Sequence, residues 1–375
     1  MNKNPQITFK INDIIELKLE NEETVIYLNN QKFMLCKYLF FMDPQKNIAP
    51  EIDSIDDAAE YYGHQLGEFT PEELKEYFLE DYGITNEQVF WGHCSNLQAW
   101  VECHYDTRIL HSNLAFPLLK KLAELGDSTA RNVFTEEIVN RFLEGSPNTQ
   151  MFLCMEGYLN LLREEELSYI ISLKEARTLK RLERSTGNIF TPTVWSVSSN
   201  PNSYKIENGK VTKLKTINSL KEIPKEIKDL KNLTYIYCSV SVIETVPEWI
   251  NELTKLTSLT LSQSGITHLP KLRLPNLIKF NAPFNNLEVA DFTDWDVPNI
   301  KYIGLGDNNI KTIKGLSYIP NIEMLGLWRN NLKKLPKELL NLSNLALLEI
   351  KHGNMINLEK DEIVQKLKER GVIIG

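Results

Sequence analysis

The chain of 375 residues carries 42 basic and 50 acidic side chains for a net charge of -8, and 42% of it is hydrophobic. No apolar run approaches the roughly 18 residues of a membrane helix, and the opening MNKNPQITF lacks the basic, apolar and small-residue order of a secretion signal. Neither membrane insertion nor secretion is expected, and five scattered cysteines, Cys36, Cys94, Cys103, Cys154 and Cys238, fit reduced thiols in a cytoplasmic protein better than a disulfide framework.

The first 50 residues read as a small β-rich subdomain. ITFKI, TVIYL and KFMLCKYLFF alternate in short apolar stretches, with Asn29-Asn30 as a turn, so a β-hairpin or three-stranded sheet is predicted. Residues 51–190 read as a helical domain, armadillo-like or a bundle. SIDDAAEYY is one expected helix, and Thr70-Pro71-Glu72-Glu73 supplies an N-cap, a first-turn proline and acids at the positive end of another.

The most reactive-looking stretch is FWGHCSNLQAWVECHYD, from Phe90 to Asp106. His93 beside Cys94 and His104 beside Cys103 raise two chemical readings, a zinc site and an activated cysteine nucleophile. The Cys-x8-Cys spacing is unlike the close pairs of structural zinc sites. A nucleophile needs an exposed thiolate, an orienting group and oxyanion donors, none of which the spacing identifies. The plainer reading is a helix anchored by Trp91, Leu97, Trp100 and Val101, with the histidines in local hydrogen bonds and Asp106–Arg108 as a charge pair.

Residues 112–184 predict four helices, broken at Leu125-Gly126-Asp127 and Gly145-Ser146-Pro147. Leu114, Leu118, Leu119 and Leu122 share one core face. Val133, Ile138, Phe142 and Leu143 share a second, and Phe152, Met155, Leu159 and Leu162 a third. Glu136-Glu137 and Glu164 to Glu166 read as helix-start acids. Residues 191–210 form the expected junction and cap, with an Asn208-Gly209 hairpin whose second strand leads into the segment from Val211.

From Val211 the apolar positions repeat. Val211, Leu233, Leu256, Leu277, Ile300, Ile322 and Leu345 open seven units at intervals of 21 to 23 residues. The clearest unit is Ile322, Leu325, Leu327, Asn330, Leu332, Leu335 and Pro336. Asn308 and Asn285 hold the turn in the two units before it, Ser219 stands there in the first unit and Gly353 in the last. Asp361 to Arg370, with Ile363, Val364 and Leu367 on one face, is expected as a C-terminal capping helix.

The repeat resembles leucine-rich repeat proteins of the short, 21-to-23-residue intracellular type. FWGHCSNLQAWVE, YDTRILHSNLAFPLLKKLAELGD and YKIENGKVTKL also resemble the N-terminal region of archaeal leucine-rich repeat proteins with a helical domain. The expected fold is therefore an α/β leucine-rich repeat solenoid over 211–375, behind a mainly α N-terminal domain with a small β-hairpin or sheet.

Strand alternation leaves every second side chain on the concave sheet surface. Tyr235, Tyr237, Phe284, Tyr302, Met324, Trp328 and Arg329 are the candidate binding residues. Gly304, Gly306 and Gly326 remove bulk between them, predicting a shallow aromatic-rimmed depression. The competing readings are that the N-terminal domain packs there, or that the rings are partly buried against neighbouring strands.

Charge divides along the same line. Residues 1–190 carry 18 basic and 31 acidic groups, net -13, and residues 191–375 carry 24 and 19, net +5. Mixed signs within each half argue against a nucleic-acid footprint. No phosphate loop, HExxH or G-x-S-x-G motif appears. The sequence therefore points to a non-enzymatic adaptor or scaffold with a protein partner, without cofactor, metal, membrane, nucleic acid or small molecule. The alternative is an enzyme or regulator with a Cys/His site, whose repeats recruit a protein substrate.

Overall fold

A computed structural model describes residues 7–36, 83–193, 200–217, 221–239, 243, 245–357 and 359–375. The helices expected over SIDDAAEYY and from Thr70, and the turn at Ser219, lie outside the described residues. The chain divides into two compact units, 1–137 and 138–375.

The first unit opens with an antiparallel meander of β1 (Thr8–Lys10), β2 (Ile15–Glu20), β3 (Glu23–Leu28) and β4 (Gln31–Leu35). It has one strand more than the largest sheet expected. Asn29 and Asn30 take φ of 48° and 62°, the left-handed pair that a tight hairpin turn requires and Asn tolerates. Ile15, Leu17, Val25, Ile26 and Leu28 are buried.

Helix α1 (Asn86–Glu102) packs on β2 and β3. Its start is fixed by a capping box, in which the Thr85 hydroxyl accepts from the Gln88 amide and the Gln88 side chain accepts from the Thr85 amide. Phe90, His93, Cys94, Leu97 and Trp100 follow helical spacing and form its buried stripe. Trp91, expected as an anchor, is 45% exposed and lies edge-on to Phe9 and Phe90. The stripe begins one residue earlier, at Phe90, which rotates Trp91 off the core face.

Residues 112–184 form α2 (Ser112–Glu124), α3 (Ser128–Glu144), α4 (Pro147–Met155), α5 (Glu164–Leu167) and α6 (Leu173–Thr186). The division between units falls inside α3. Glu136 and Glu137 are therefore mid-helix rather than at a helix start, whereas Glu164 to Glu166 do fill a first turn. Leu143, Phe152 and Met155, expected in the core, are exposed. Phe142 takes the inward place beside Leu143, and Leu153 and Cys154 take it in α4. Gly157, at φ 71°, then reverses the chain before a helical face can run from Phe152 to Leu162.

The second unit carries a ten-stranded sheet. Its first strands are β5 (Thr191–Thr193), β6 (Ser203–Glu207) and β7 (Lys210–Ile217). The antiparallel β6–β7 hairpin turns at Asn208 and Gly209, both at positive φ, as the sequence predicts. Then one parallel strand per repeat follows: β8 (Tyr235–Ser239), β9 (Ser258–Ser262), β10 (Lys279–Asn281), β12 (Tyr302–Gly304), β14 (Met324–Gly326) and β15 (Leu347–Glu349). The return segments hold one-turn 3-10 helices such as Lys337–Asn341, or the small parallel pair β11 (Val289–Asp291) and β13 (Thr312–Lys314). Helix α7 (Glu362–Glu369), capped by Asp361, precedes the last strand, β16 (Ile373–Ile374). The result is a leucine-rich-repeat-like architecture.

Two polar devices hold the repeats in register. The first is an asparagine ladder. Asn308 accepts from the Leu287 amide at 3.1 Å and donates to the Ala282 carbonyl at 2.9 Å, so one side chain ties successive repeats together. Asn285 and Asn330 repeat the pattern. In the last repeat the rung is Asn354, which accepts from Leu332 and donates to Leu327, and not Gly353. One extra residue there is absorbed by His352 and Gly353, both at positive φ. A Cβ on Gly353 would stand 2.7 Å from the Arg329 Cα, so only glycine fits.

The second device is Glu175 of α6, 4% exposed. Its carboxylate accepts from the Val211 amide at 3.4 Å and from the Asn232 side chain at 3.3 Å, bonding the helix to both ends of the first repeat. The Ser172 hydroxyl accepts from its amide and caps α6.

Candidate functional site

The parallel register sorts the sheet's side chains into two faces. Ile236, Leu259, Phe280, Ile303, Leu325 and Leu348 are at most 1% exposed and fill the core. Their neighbours occupy the open face in two aligned columns. Lys213, Tyr235, Ser258, Lys279, Tyr302, Met324 and Leu347 form the first, and Lys215, Tyr237, Thr260, Asn281, Gly304, Gly326 and Glu349 the second.

The candidate residues fall into two groups on this face. Tyr235 and Tyr237 lie together on β8 and are half-buried, and burial raises the Tyr235 hydroxyl pKa, keeping it a proton donor. Tyr302 and Met324 are adjacent partners on β12 and β14, with Trp328 and Arg329 just beyond. The two groups stand three to four strand spacings apart, about 14–19 Å. They form the ends of a long face rather than one cluster.

The glycine lane is not the shallow depression that residue type predicts. Gly304 leaves room for Asn281, whose Oδ1 lies 2.5 Å from where a Cβ would stand, and Gly326 leaves room for Glu349 at 3.0 Å. A Cβ on Gly306 would stand 2.2 Å from the Trp328 Cε2. The glycines thus seat neighbouring side chains, and Gly306 lets the Trp328 indole approach the backbone closely.

Beyond the sheet columns runs a strip that residue spacing alone does not reveal. Gln263, Phe284, Asp307, Arg329 and His352 each adopt a left-handed backbone, with φ between 49° and 59°. They recur once per repeat, just ahead of the position facing the ladder. Amide donation locks the first four to the next repeat: Gln263 to Pro283 at 3.2 Å, Phe284 to Gly306 at 3.1 Å, Asp307 to Trp328 at 3.0 Å, and Arg329 to His352 at 2.7 Å. A non-glycine residue in this conformation costs roughly 1–2 kcal/mol, and the inter-repeat bonds hold it there. The signal present in the sequence is the ladder asparagine, since the residue before Asn285, Asn308 and Asn330 is the one turned outward.

On this strip Phe284 is 46% exposed and meets Trp328 edge-to-face at 6.1 Å. The Arg329 guanidinium lies 5.7 Å from the Trp328 ring and 3.6 Å from Asp307. The second Asp307 oxygen, Oδ2, is buried without a hydrogen-bond partner among the described residues. Aromatic area, a cation and an acid are thus collected within one surface.

The Cys/His residues of the first unit are not one site. His93 and Cys94 are buried in mid-helix, and the nine residues from Cys94 to Cys103 set them about 14 Å apart along the axis. His93 Nδ1 lies 3.0 Å from the Cys36 sulfur. Burial pushes the Cys94 thiol up to about 12 and raises Cys36 as well, a shift away from the activated thiolate that a nucleophile needs. Cys103 is exposed at the end of α1, and His104, at φ 55°, continues the turn that ends the helix. Tyr105 closes it, its amide donating back to Trp100 and its ring packing on Trp100 at 4.8 Å. Among the described residues, no three of His, Cys, Asp and Glu are placed to hold a metal ion, and no helix is long and apolar enough to cross a membrane.

No protein-family model and no curated protein matches the chain. Solved leucine-rich repeat structures do. The LRR protein LIC12759 of Leptospira interrogans is 25% identical, covers 44% of this chain and 48% of its own, and gives a TM-score of 0.36. Internalin C2 of Listeria monocytogenes is 20% identical over 44% of this chain and 70% of its own, with a TM-score of 0.35. TLR13, solved with ssRNA13, is 23% identical over 38% of this chain and 21% of its own, with a TM-score of 0.36. The chain therefore spans about half the length of the Leptospira protein and a fifth of the TLR13 chain. These likenesses are distant, and none of the three is an archaeal protein.

Proposed function

We propose that the chain is a protein-recognition module, an adaptor or scaffold, that takes its partner on the open face of the repeat sheet as a leucine-rich repeat solenoid does on its concave side. The observation that supports this most is the Phe284–Trp328–Arg329 group. The Trp328 ring meets both Phe284 and the Arg329 guanidinium, outside the core, and inter-repeat bonds hold Phe284 and Arg329 in a left-handed conformation. Trp, Tyr and Arg dominate protein interfaces because they bring large rigid area together with donors. Here their geometry is set before any partner arrives, which lowers the ordering cost of binding. Among the described residues of the first unit, Cys94 and Cys36 are buried and burial raises both thiols, which weighs against the enzymatic alternative.

The test is affinity capture from native extract with the full chain, followed by titration of each captured protein. Trp328→Ala with Arg329→Ala is expected to weaken binding by roughly 2–4 kcal/mol, thirtyfold or more. Arg329→Glu alone leaves the indole seated on Gly306 and covers the case in which the double variant loses its fold. Equal capture by wild type and folded variants defeats the assignment. Tyr237→Ala, at the far end of the face, is expected to have the smaller effect.

A further inference from the structure

Away from the sheet face, α5 and α6 enclose an open cleft of about 470 Å³, lined by Glu164, Leu173, Lys174, Arg177, Arg181 and Arg184. The four cations recur at helical spacing on the exposed side of α6, whose other side buries Glu175, Thr178, Leu179 and Leu182. A chain of net charge -8 thus carries a local site with four cations against one carboxylate.

The site is preformed and only partly satisfied. Arg184 donates to Glu164 at 2.7 Å, while Arg177 stands 3.9 Å from the other Glu164 oxygen, beyond hydrogen-bond reach. Arg181 is held by Asp229 at 3.0 Å. Lys174 has no ion-pair partner among the described residues, and Leu173 is 39% exposed beside it. Glu164 therefore acts as a tethered anion between two guanidiniums.

From this geometry we propose that the cleft binds the phosphoryl group of a phosphoserine or phosphothreonine in a partner peptide, with Leu173 taking an apolar neighbour. An incoming carboxylate would replace a tethered carboxylate one for one and gain little. A phosphoryl group brings a charge of about -1.5 to -2 and three acceptor oxygens, and guanidinium forks suit it. It displaces Glu164, accepts from Arg177 and Arg184 together, and attracts Lys174. The basic row from Lys174 to Arg184 is about 15 Å long and is flanked by Glu165, Glu166 and Asp229. That length and those acids fit a short ligand and repel an extended polyanion.

Fluorescence anisotropy with the full chain tests this. The probes are a labelled degenerate peptide pool with one fixed phosphoserine, its unphosphorylated twin, a single-stranded oligonucleotide and phosphatidylserine vesicles. The phosphorylated pool is expected to bind at least about tenfold more tightly than its twin, and Arg177→Gln with Arg184→Gln to remove that preference. Glu164→Gln is expected to tighten binding severalfold, because it removes the internal competitor. Trp328→Ala leaves all of this unchanged, so failure here is separable from failure of the sheet-face reading. Equal binding of the two pools overturns the proposal, as does preferential binding of the oligonucleotide or vesicles. Glu164→Gln leaving affinity unchanged or weaker also overturns it. Circular dichroism of each variant establishes that the fold is intact.

Discussion

Asn308 and His93 are both polar side chains sealed from solvent, 7% and 3% exposed, one in the repeats and one in the first unit. Their surroundings differ in kind. Asn308 sits where the preceding repeat presents the Leu287 amide on one side and the Ala282 carbonyl on the other, so one amide side chain satisfies both. His93 faces a cysteine from a segment 57 positions earlier, and no periodic feature supplies that partner. The α1 core also leaves the Trp100 indole N–H buried without a partner among the described residues. Repetition solves the buried-polar problem once and copies the answer, whereas a unique core solves each case separately.

The largest test of this contrast is Asn308→Ala. It strands the Leu287 amide and removes the donor to the Ala282, Leu305 and Gly306 carbonyls. Each stranded group costs about 1–3 kcal/mol, so a loss of about 3 kcal/mol is expected in urea unfolding of the full chain. A loss below about 1 kcal/mol would mean that water replaces the rung.

His93→Ala is expected to cost less, about 2 kcal/mol, chiefly for the cavity it leaves. Combined with Cys36→Ala in a double-mutant cycle, it should give a coupling energy of about 1 kcal/mol. Additive losses would show that the 3.0 Å contact contributes no stability.

The same contrast governs what can be read from the sequence. The seven apolar starts, the ladder asparagines and the capping helix are legible because a fixed period tells each residue where its partner lies. Gly353 reads as a rung by that count, yet one inserted residue moves the rung to Asn354. Phe152 and Met155 mislead for a related reason. Helical spacing defines a face but not which of two adjacent faces meets the core, and Leu153 and Cys154 settle that only in three dimensions. Phe284 and Arg329 are legible by residue type, but their common strip depends on a left-handed backbone that composition does not encode. The Cys36–His93 contact is invisible in the sequence, because neither residue lies in a pattern that names the other.

Buried thiols sharpen the comparison through pH. Burial pushes Cys238 of β8 up to about 12 from an ordinary 9. The folded chain keeps this proton where the unfolded chain releases it, so stability falls as pH rises from 9 towards 12. One thiol contributes a slope of at most about 1.4 kcal/mol per pH unit. Cys238→Ala is expected to flatten the urea midpoint between pH 9.5 and 10.5 by up to that amount, and an unchanged slope would mean that the strand opens locally before the thiol titrates.

The smallest expected effect lies on the binding strip. Asp307 combines a left-handed backbone, at φ 49°, with a carboxylate oxygen that is buried and, among the described residues, unpartnered, while Arg329 is 3.6 Å from the other oxygen. Asn adopts this backbone more readily than most residues and carries no charge to desolvate. Asp307→Asn should therefore leave stability unchanged or raise it by up to about 1 kcal/mol, the lost attraction to the exposed Arg329 being worth little in solvent. Stabilisation with weaker partner capture would identify Asp307 as a residue kept for recognition at the expense of the fold. A loss above about 1 kcal/mol would instead place the carboxylate in the same structural class as the ladder asparagines.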